Sequence, residues 1–141
     1  EDENGVCIWL TDEVRVTQAD VRKIQLAKAP IAAGIQILLQ EKDWKIKDID
    51  QVILAGGFGS YMRKESAAEI GLIPKELVKC THSVGNAAGE GAVSAALASE
   101  ARTELEQLQK QMRYVELSTH EAFSDIFIRE MSFTNSYMRS E

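Results

Sequence analysis

The ten residues Gln51-Val52-Ile53-Leu54-Ala55-Gly56-Gly57-Phe58-Gly59-Ser60 constrain the fold more than any other stretch of the chain. Val52 to Ala55 form the continuous apolar run expected of a strand covered on both faces, as in a parallel sheet. Gly56, Gly57 and Gly59 follow at once, and glycines let the backbone bend sharply and come close to a ligand. A glycine turn leaving such a strand lies at the carboxyl edge of the sheet, where open α/β folds bind their ligands. The chain is therefore expected to be α/β, with its function at this edge.

Bulk properties exclude several classes. Sixteen basic and 22 acidic residues leave a net charge of −6, and no basic cluster marks a nucleic-acid surface. The uncharged stretch Ala29 to Gln40, which no other exceeds, is too short to span a bilayer, so no membrane partner is expected. Cys7 and Cys80 are too far apart for a metal or redox motif and read as reduced, cytoplasmic thiols. With 141 residues the chain is read as a single domain over 1–141, with residues 134–141 as a frayed tail. The strand candidates are few and short, and Glu1-Asp2-Glu3-Asn4-Gly5 reads as a turn, so a fragment of a larger protein is expected.

Along the chain, Val6–Leu10 and Val14–Val16 read as short strands. Thr17 and Asp20 form a helix start, and Val21, Ile24, Ala27, Ile31, Ile35 and Leu38 then repeat at helical spacing. Pro30 should kink or split that helix, which fades around Lys42 to Lys47. A short helix is expected from about Ser60 to a stop at Gly71, then a strand over Val78–Thr81. One helix is expected from Ala87 to about Met112, its first half small-sided and closely packed, its second half charged and solvated. Tyr114–Leu117 reads as a brief strand, and Ser118 or Thr119 as the cap of a last helix carrying Phe123, Ile126 and Phe127.

Three ligand motifs fail at the glycine turn. Met62 stands where a dinucleotide fingerprint needs its third glycine, no P-loop lysine follows, and the G-x-S-x-G register is absent. What remains is strand, Gly-Gly-x-Gly, helix, a turn open enough for a flat ring or a ribose. A tight turn without ligand explains the same residues equally well. Val84-Gly85-Asn86-Ala87-Ala88-Gly89 is a second such turn, also explained by close helix packing. Asp48, Asp50 and Glu90 read as solvated or helix-end charges, and His82 and His120 as surface or capping residues.

Taken in order, Gln25-Leu26-Ala27-Lys28-Ala29, Leu54 to Gly59, Val84 to Ala88 and Tyr114-Val115-Glu116-Leu117-Ser118 resemble one family. It is the C-terminal part of the reductive activators of corrinoid proteins, ATP-dependent iron–sulfur proteins, and the match runs from about Thr17 to Phe133. The resemblance implies a ribonuclease-H-like, actin-like ATPase lobe: a small mixed sheet with long packed helices. It further implies that Gly56, Gly57, Phe58, Gly59 and Ser60 border adenosine, and that Gly85 and Asn86 open a helix at the lobe hinge. Gln25 and Lys28, one turn apart, would lie beside the cleft, with Lys28 meeting phosphate or ribose or else standing as an exposed helix lysine.

The same resemblance implies ATP with magnesium as cofactor and a corrinoid protein with its methyltransferase system as partners. The family's phosphate motifs lie in earlier sequence, so this chain alone is not expected to complete catalysis. A [2Fe–2S] cluster, which takes four cysteines, is expected in an N-terminal domain outside the chain. The remaining lobe of the same polypeptide is the expected neighbour, and a lobe lacking it exposes surface through which a homodimer could form.

Overall fold

The computed structural model describes residues 6–133, apart from the side chain of Phe58. Elements run β1 (Cys7–Trp9), β2 (Arg15–Thr17), α1 (Gln18–Lys42), β3 (Val52–Leu54), α2 (Gly57–Tyr61), α3 (Lys64–Glu69), β4 (Thr81–Ser83), α4 (Ala87–Leu97), α5 (Ser99–Gln111) and α6 (Phe123–Glu130). Strands β1 and β2 pair antiparallel, and β3 and β4 pair parallel, giving two separate two-stranded sheets. The result is a mixed α/β unit of small sheets and packed helices. Among the described residues no helix is long and apolar enough to cross a membrane.

Helix α1 organises the packing. Thr17 ends β2 and caps α1: its Oγ1 accepts from the Asp20 amide at 3.2 Å, while Asp20 Oδ2 accepts from the Thr17 amide at 3.1 Å. This reciprocal pair satisfies two donors that a helix start otherwise leaves open. The helix then runs unbroken through Pro30 to Lys42, so the expected split does not occur. The proline removes one backbone bond, but Ala29, Ala32, Ala33 and Ile37, all with 0% exposure, hold the segment in place by burial. Ala33 and Ile37 pack with Ile126 of α6, and Val115, Leu117, Phe123 and Phe127 close around them. A second cluster of Ala67, Ala68, Leu72 and Ile73 meets the same helix through Ile35.

Elsewhere the structure corrects the expected boundaries. The segment after the glycine turn is two helices, α2 and α3, with Gly71 (φ 77°) as the expected stop. Residues Lys75–Cys80 form a 3-10 helix, and the strand after it is Thr81–Ser83 rather than Val78–Thr81. The long helix from Ala87 breaks at Ala98, whose backbone is extended (φ −132°, ψ 129°) where Ser99 and Glu100 start a new helix. Tyr114–Leu117 forms no strand: Leu117–Thr119 is a 3-10 turn, with Glu116 accepting from the Ser118 amide and hydroxyl. The last helix begins at Phe123, so Ser118 and Thr119 do not cap it. His120 Nδ1 accepts from the Ala122 amide just before it, at 3.3 Å. The expected tail, 134–141, lies outside the described residues.

Two regions bury little. Helices α4 and α5 pack on one another and contribute no buried residue, leaving Val93, Leu97, Leu105, Leu108 and Met112 exposed. In β3, Ile53 is 59% exposed, so among the described residues this strand is not covered on both faces.

The Thr17–Asp20 box yields a stability prediction. Thr17→Ala should lower unfolding free energy in urea at neutral pH by about 1 kcal/mol. The Thr17 hydroxyl and amide hold the Asp20 carboxyl below the usual carboxylate range. A depressed carboxylate contributes stability above its ordinary pKa and loses it as the pH falls through the folded value. The gap between wild type and variant should therefore narrow below about pH 4.

Candidate functional site at the glycine edge

The parallel pair brings the two glycine turns together. Val52, Ile53 and Leu54 stand opposite Thr81, His82 and Ser83. Beyond the last rung, the Val84 amide donates to the Leu54 carbonyl at 3.0 Å and the Gly56 amide donates to the Gly85 carbonyl at 2.6 Å. Strand pairing therefore continues into both turns and sets them side by side at the carboxyl edge. The sequence offers them as two unconnected turns, and only the pairing makes one edge of them.

The glycines do different work. A Cβ built on Gly56, Gly57 or Gly85 meets nothing within 4 Å, so these three border open space. Gly56 (φ 91°) and Gly85 (φ 35°) also hold backbone conformations that disfavour side chains. Gly59 differs. A Cβ there would lie 2.9 Å from the Leu54 carbonyl oxygen, so this glycine is needed for packing of α2 onto the end of β3.

The other expected site residues are placed as follows. Ser60 folds back, with both its amide and its Oγ 3.3 Å from the Gly56 carbonyl as donors. Asn86 caps α4, Oδ1 accepting from the Gly89 amide at 3.1 Å. The backbone of Phe58 lies in α2. Gln25 is half-buried on α1. His82 is exposed on β4.

Lys28 corrects the expectation of an exposed helix lysine, since it is only 2% exposed. Its Nζ donates to the Ser132 carbonyl at 2.5 Å and lies 5.9 Å from the centroid of the Phe133 ring. A Cβ on Gly71 would come within 3.0 Å of the same nitrogen. Burial pushes this ammonium below the usual lysine range, and the charge of Glu130 works against that shift. To meet a phosphate, Nζ would have to leave the Ser132 carbonyl.

A surface depression elsewhere, by Glu41, Arg113, Glu116 and His120, is occupied by contacts among its own side chains. Glu41 meets Arg113 at 2.7 Å and His120 Nε2 at 3.6 Å. Among the described residues no group of His, Cys, Asp or Glu is arranged to hold a metal ion. With two cysteines in the whole chain, its own residues do not fit a four-cysteine cluster.

The fold is an α/β unit in which two paired glycine turns form one edge. A family described as the C-terminal domain of RACo, the ASKHA domain, matches residues 2–140. The chain belongs to that family. It is 32% identical over 126 residues to the corrinoid activation enzyme RamQ of Eubacterium limosum, covering 89% of this chain and 21% of that protein. It is also similar to a solved structure, the reductive activator for corrinoid, iron–sulfur protein, with a TM-score of 0.78 and 34% identity. That similarity covers 91% of this chain and 22% of the other. The chain thus spans about a fifth of the length of these relatives.

Sequence reasoning missed Ser83. Its Oγ donates to the Gly59 carbonyl at 2.6 Å, joining β4 to α2 across 24 positions, and no local pattern marks it.

The glycine geometry separates two substitutions. Gly59→Ala should destabilise the protein by about 1–3 kcal/mol, because backbone rather than a flexible side chain opposes the new methyl. Gly57→Ala, whose methyl enters open space, should leave the thermal midpoint unchanged or slightly raised. Calorimetric unfolding of both variants checks the contrast.

Proposed function

We propose that this chain is the nucleotide-binding C-terminal lobe of an ATP-dependent iron–sulfur activator that re-reduces Co(II) corrinoid proteins to Co(I). The observation that carries the reading is the 2.6 Å bond from the Gly56 amide to the Gly85 carbonyl, which joins two glycine turns with open space before them. Such an edge admits the flat faces of adenine and ribose against backbone. Gly56, Gly57 and Gly85 are its ligand-facing members, with Phe58 beside them on α2. Gly59, Ser60 and Asn86 shape the edge through the contacts given above. Lys28 acts in packing against Ser132 rather than on phosphate, and Gln25 lies on the same helix.

The relatives' names, corrinoid activation enzyme and reductive activator for corrinoid, iron–sulfur protein, support the activator reading. In the whole protein ATP hydrolysis would drive an electron transfer that is uphill from ordinary cellular donors, and a closing cleft would couple the two. The [2Fe–2S] cluster, the phosphate motifs and the magnesium ligands belong to other parts of that protein. The corrinoid protein and its methyltransferase system are the partners, in the cytoplasm. The apolar residues left open on α4 and α5 favour packing against the remaining lobe, or against a second copy in its absence. A binding or dimerisation module without nucleotide would use those helices alone, and a kinase lobe would turn over ATP on a small molecule.

Isothermal titration of the whole protein with ADP distinguishes these readings. Binding is expected, and Gly57→Val should weaken it at least tenfold, about 1.4 kcal/mol, without loss of fold. Lys28→Met should bind as wild type does. No binding by the wild type would leave the module reading, and ATP turnover that needs a small molecule but no corrinoid protein would leave the kinase.

A further inference from the structure

Helix α2 has five residues, too few to be stable on local hydrogen bonds, so its position must come from tertiary contacts. Two of those contacts converge on Gly59. Its α-carbon side sits against Leu54, where even a methyl would come within 2.9 Å of the carbonyl oxygen. Its own carbonyl lies in the last turn of α2, where helix carbonyls lack intrahelical donors, and it accepts from Ser83 Oγ at 2.6 Å. Leu54 and Ser83 are partners on one rung of the β3–β4 ladder. A single rung therefore holds α2 from both strands. The steric contact with Leu54 sets how close the helix can come, but repulsion cannot keep it from drifting away. The Ser83 hydrogen bond supplies the attraction.

We propose that Ser83 is a positioning residue for the glycine edge: its hydroxyl fixes α2, and with it the spacing between Gly56–Gly57 and Gly85. Gly57 lies two residues before Gly59 in the same short helix, so any tilt of α2 moves the surface a base or ribose would lie on. The proposal rests on the nucleotide reading, and it assigns Ser83 to the adenosine side of the ligand. The loss from removing the hydroxyl is that of one neutral hydrogen bond, about fivefold in affinity.

The test is titration of the whole protein and its Ser83→Ala, Ser83→Thr and Gly57→Val variants with adenosine, ADP and inorganic tripolyphosphate, each variant also unfolded thermally. Ser83→Ala should bind adenosine and ADP about fivefold more weakly, by the same factor for both, with tripolyphosphate unaffected. Ser83→Thr, which keeps a donor at the same place, should recover both. Wild-type adenosine affinity in Ser83→Ala alongside loss in Gly57→Val would overturn the role of Ser83 and leave the edge standing. A loss in Ser83→Ala that Thr does not recover, or that extends equally to tripolyphosphate, would overturn it as a general destabilisation. Absence of adenosine and ADP binding in the wild type would overturn both readings.

Discussion

The two buried apolar clusters of this protein meet on one helix, α1. Ala29, Ala32, Ala33 and Ile37 bring α1 close enough to α6 for Ile126 to fill the space between them, and Ile35 ties the other side of α1 to the α3 cluster. Small residues serve here because close backbone approach yields dense van der Waals contact. The polar margin of the same contact is also long-range. Gln36 Nε2 donates to Glu130 Oε1 at 2.6 Å, Arg129 donates to Gln36 Oε1 at 2.8 Å, and Lys28 donates to Ser132. Buried charge is tolerated where such bonds replace water, and the buried ends of Lys28 and Glu130 sit where their charges oppose one another.

Against this scaffold the glycine edge is a light structure, built from three-residue strands and a five-residue helix. Its shape depends on few contacts: the Gly56–Gly85 bond, the Val84–Leu54 bond, and the docking of Gly59 on Leu54 and Ser83. Strand β3 remains open at Ile53, and α4 and α5 bury nothing.

The legible parts of the sequence were those carried by local rules. The Thr17–Asp20 box, the Gly71 stop and the strand into Gly56 all depend on neighbours within one or two turns, and all occur. The expected α1 stripe does not: Ile24, Ile31 and Leu38 are exposed, and the buried face is that of Ala29, Ala32, Ala33 and Ile37. The misreadings came where a local rule met a distant force. Pro30 reads as a kink or a split, and the split does not occur because burial of the flanking alanines keeps the helix continuous. Tyr114 to Leu117 reads as a strand by composition, but Val115 and Leu117 are drawn onto the α1–α6 cluster and no strand pairs with them among the described residues. Lys28 reads as a phosphate or ribose contact or as an exposed lysine, because nothing nearby in sequence announces Ser132 or Glu130.

The ordered motifs by themselves determined the family and the strand-to-helix glycine turns, because a glycine turn after an apolar strand admits few backbone paths. Tertiary structure decided what each motif residue does there. It separated Gly56, Gly57 and Gly85, which face space, from Gly59, which faces the Leu54 carbonyl. It turned Lys28 inward and brought in Ser83 from 24 positions away. The reason is one of range: turn geometry is written in adjacent residues, whereas the atoms a glycine or a lysine meets belong to elements that come together only on folding.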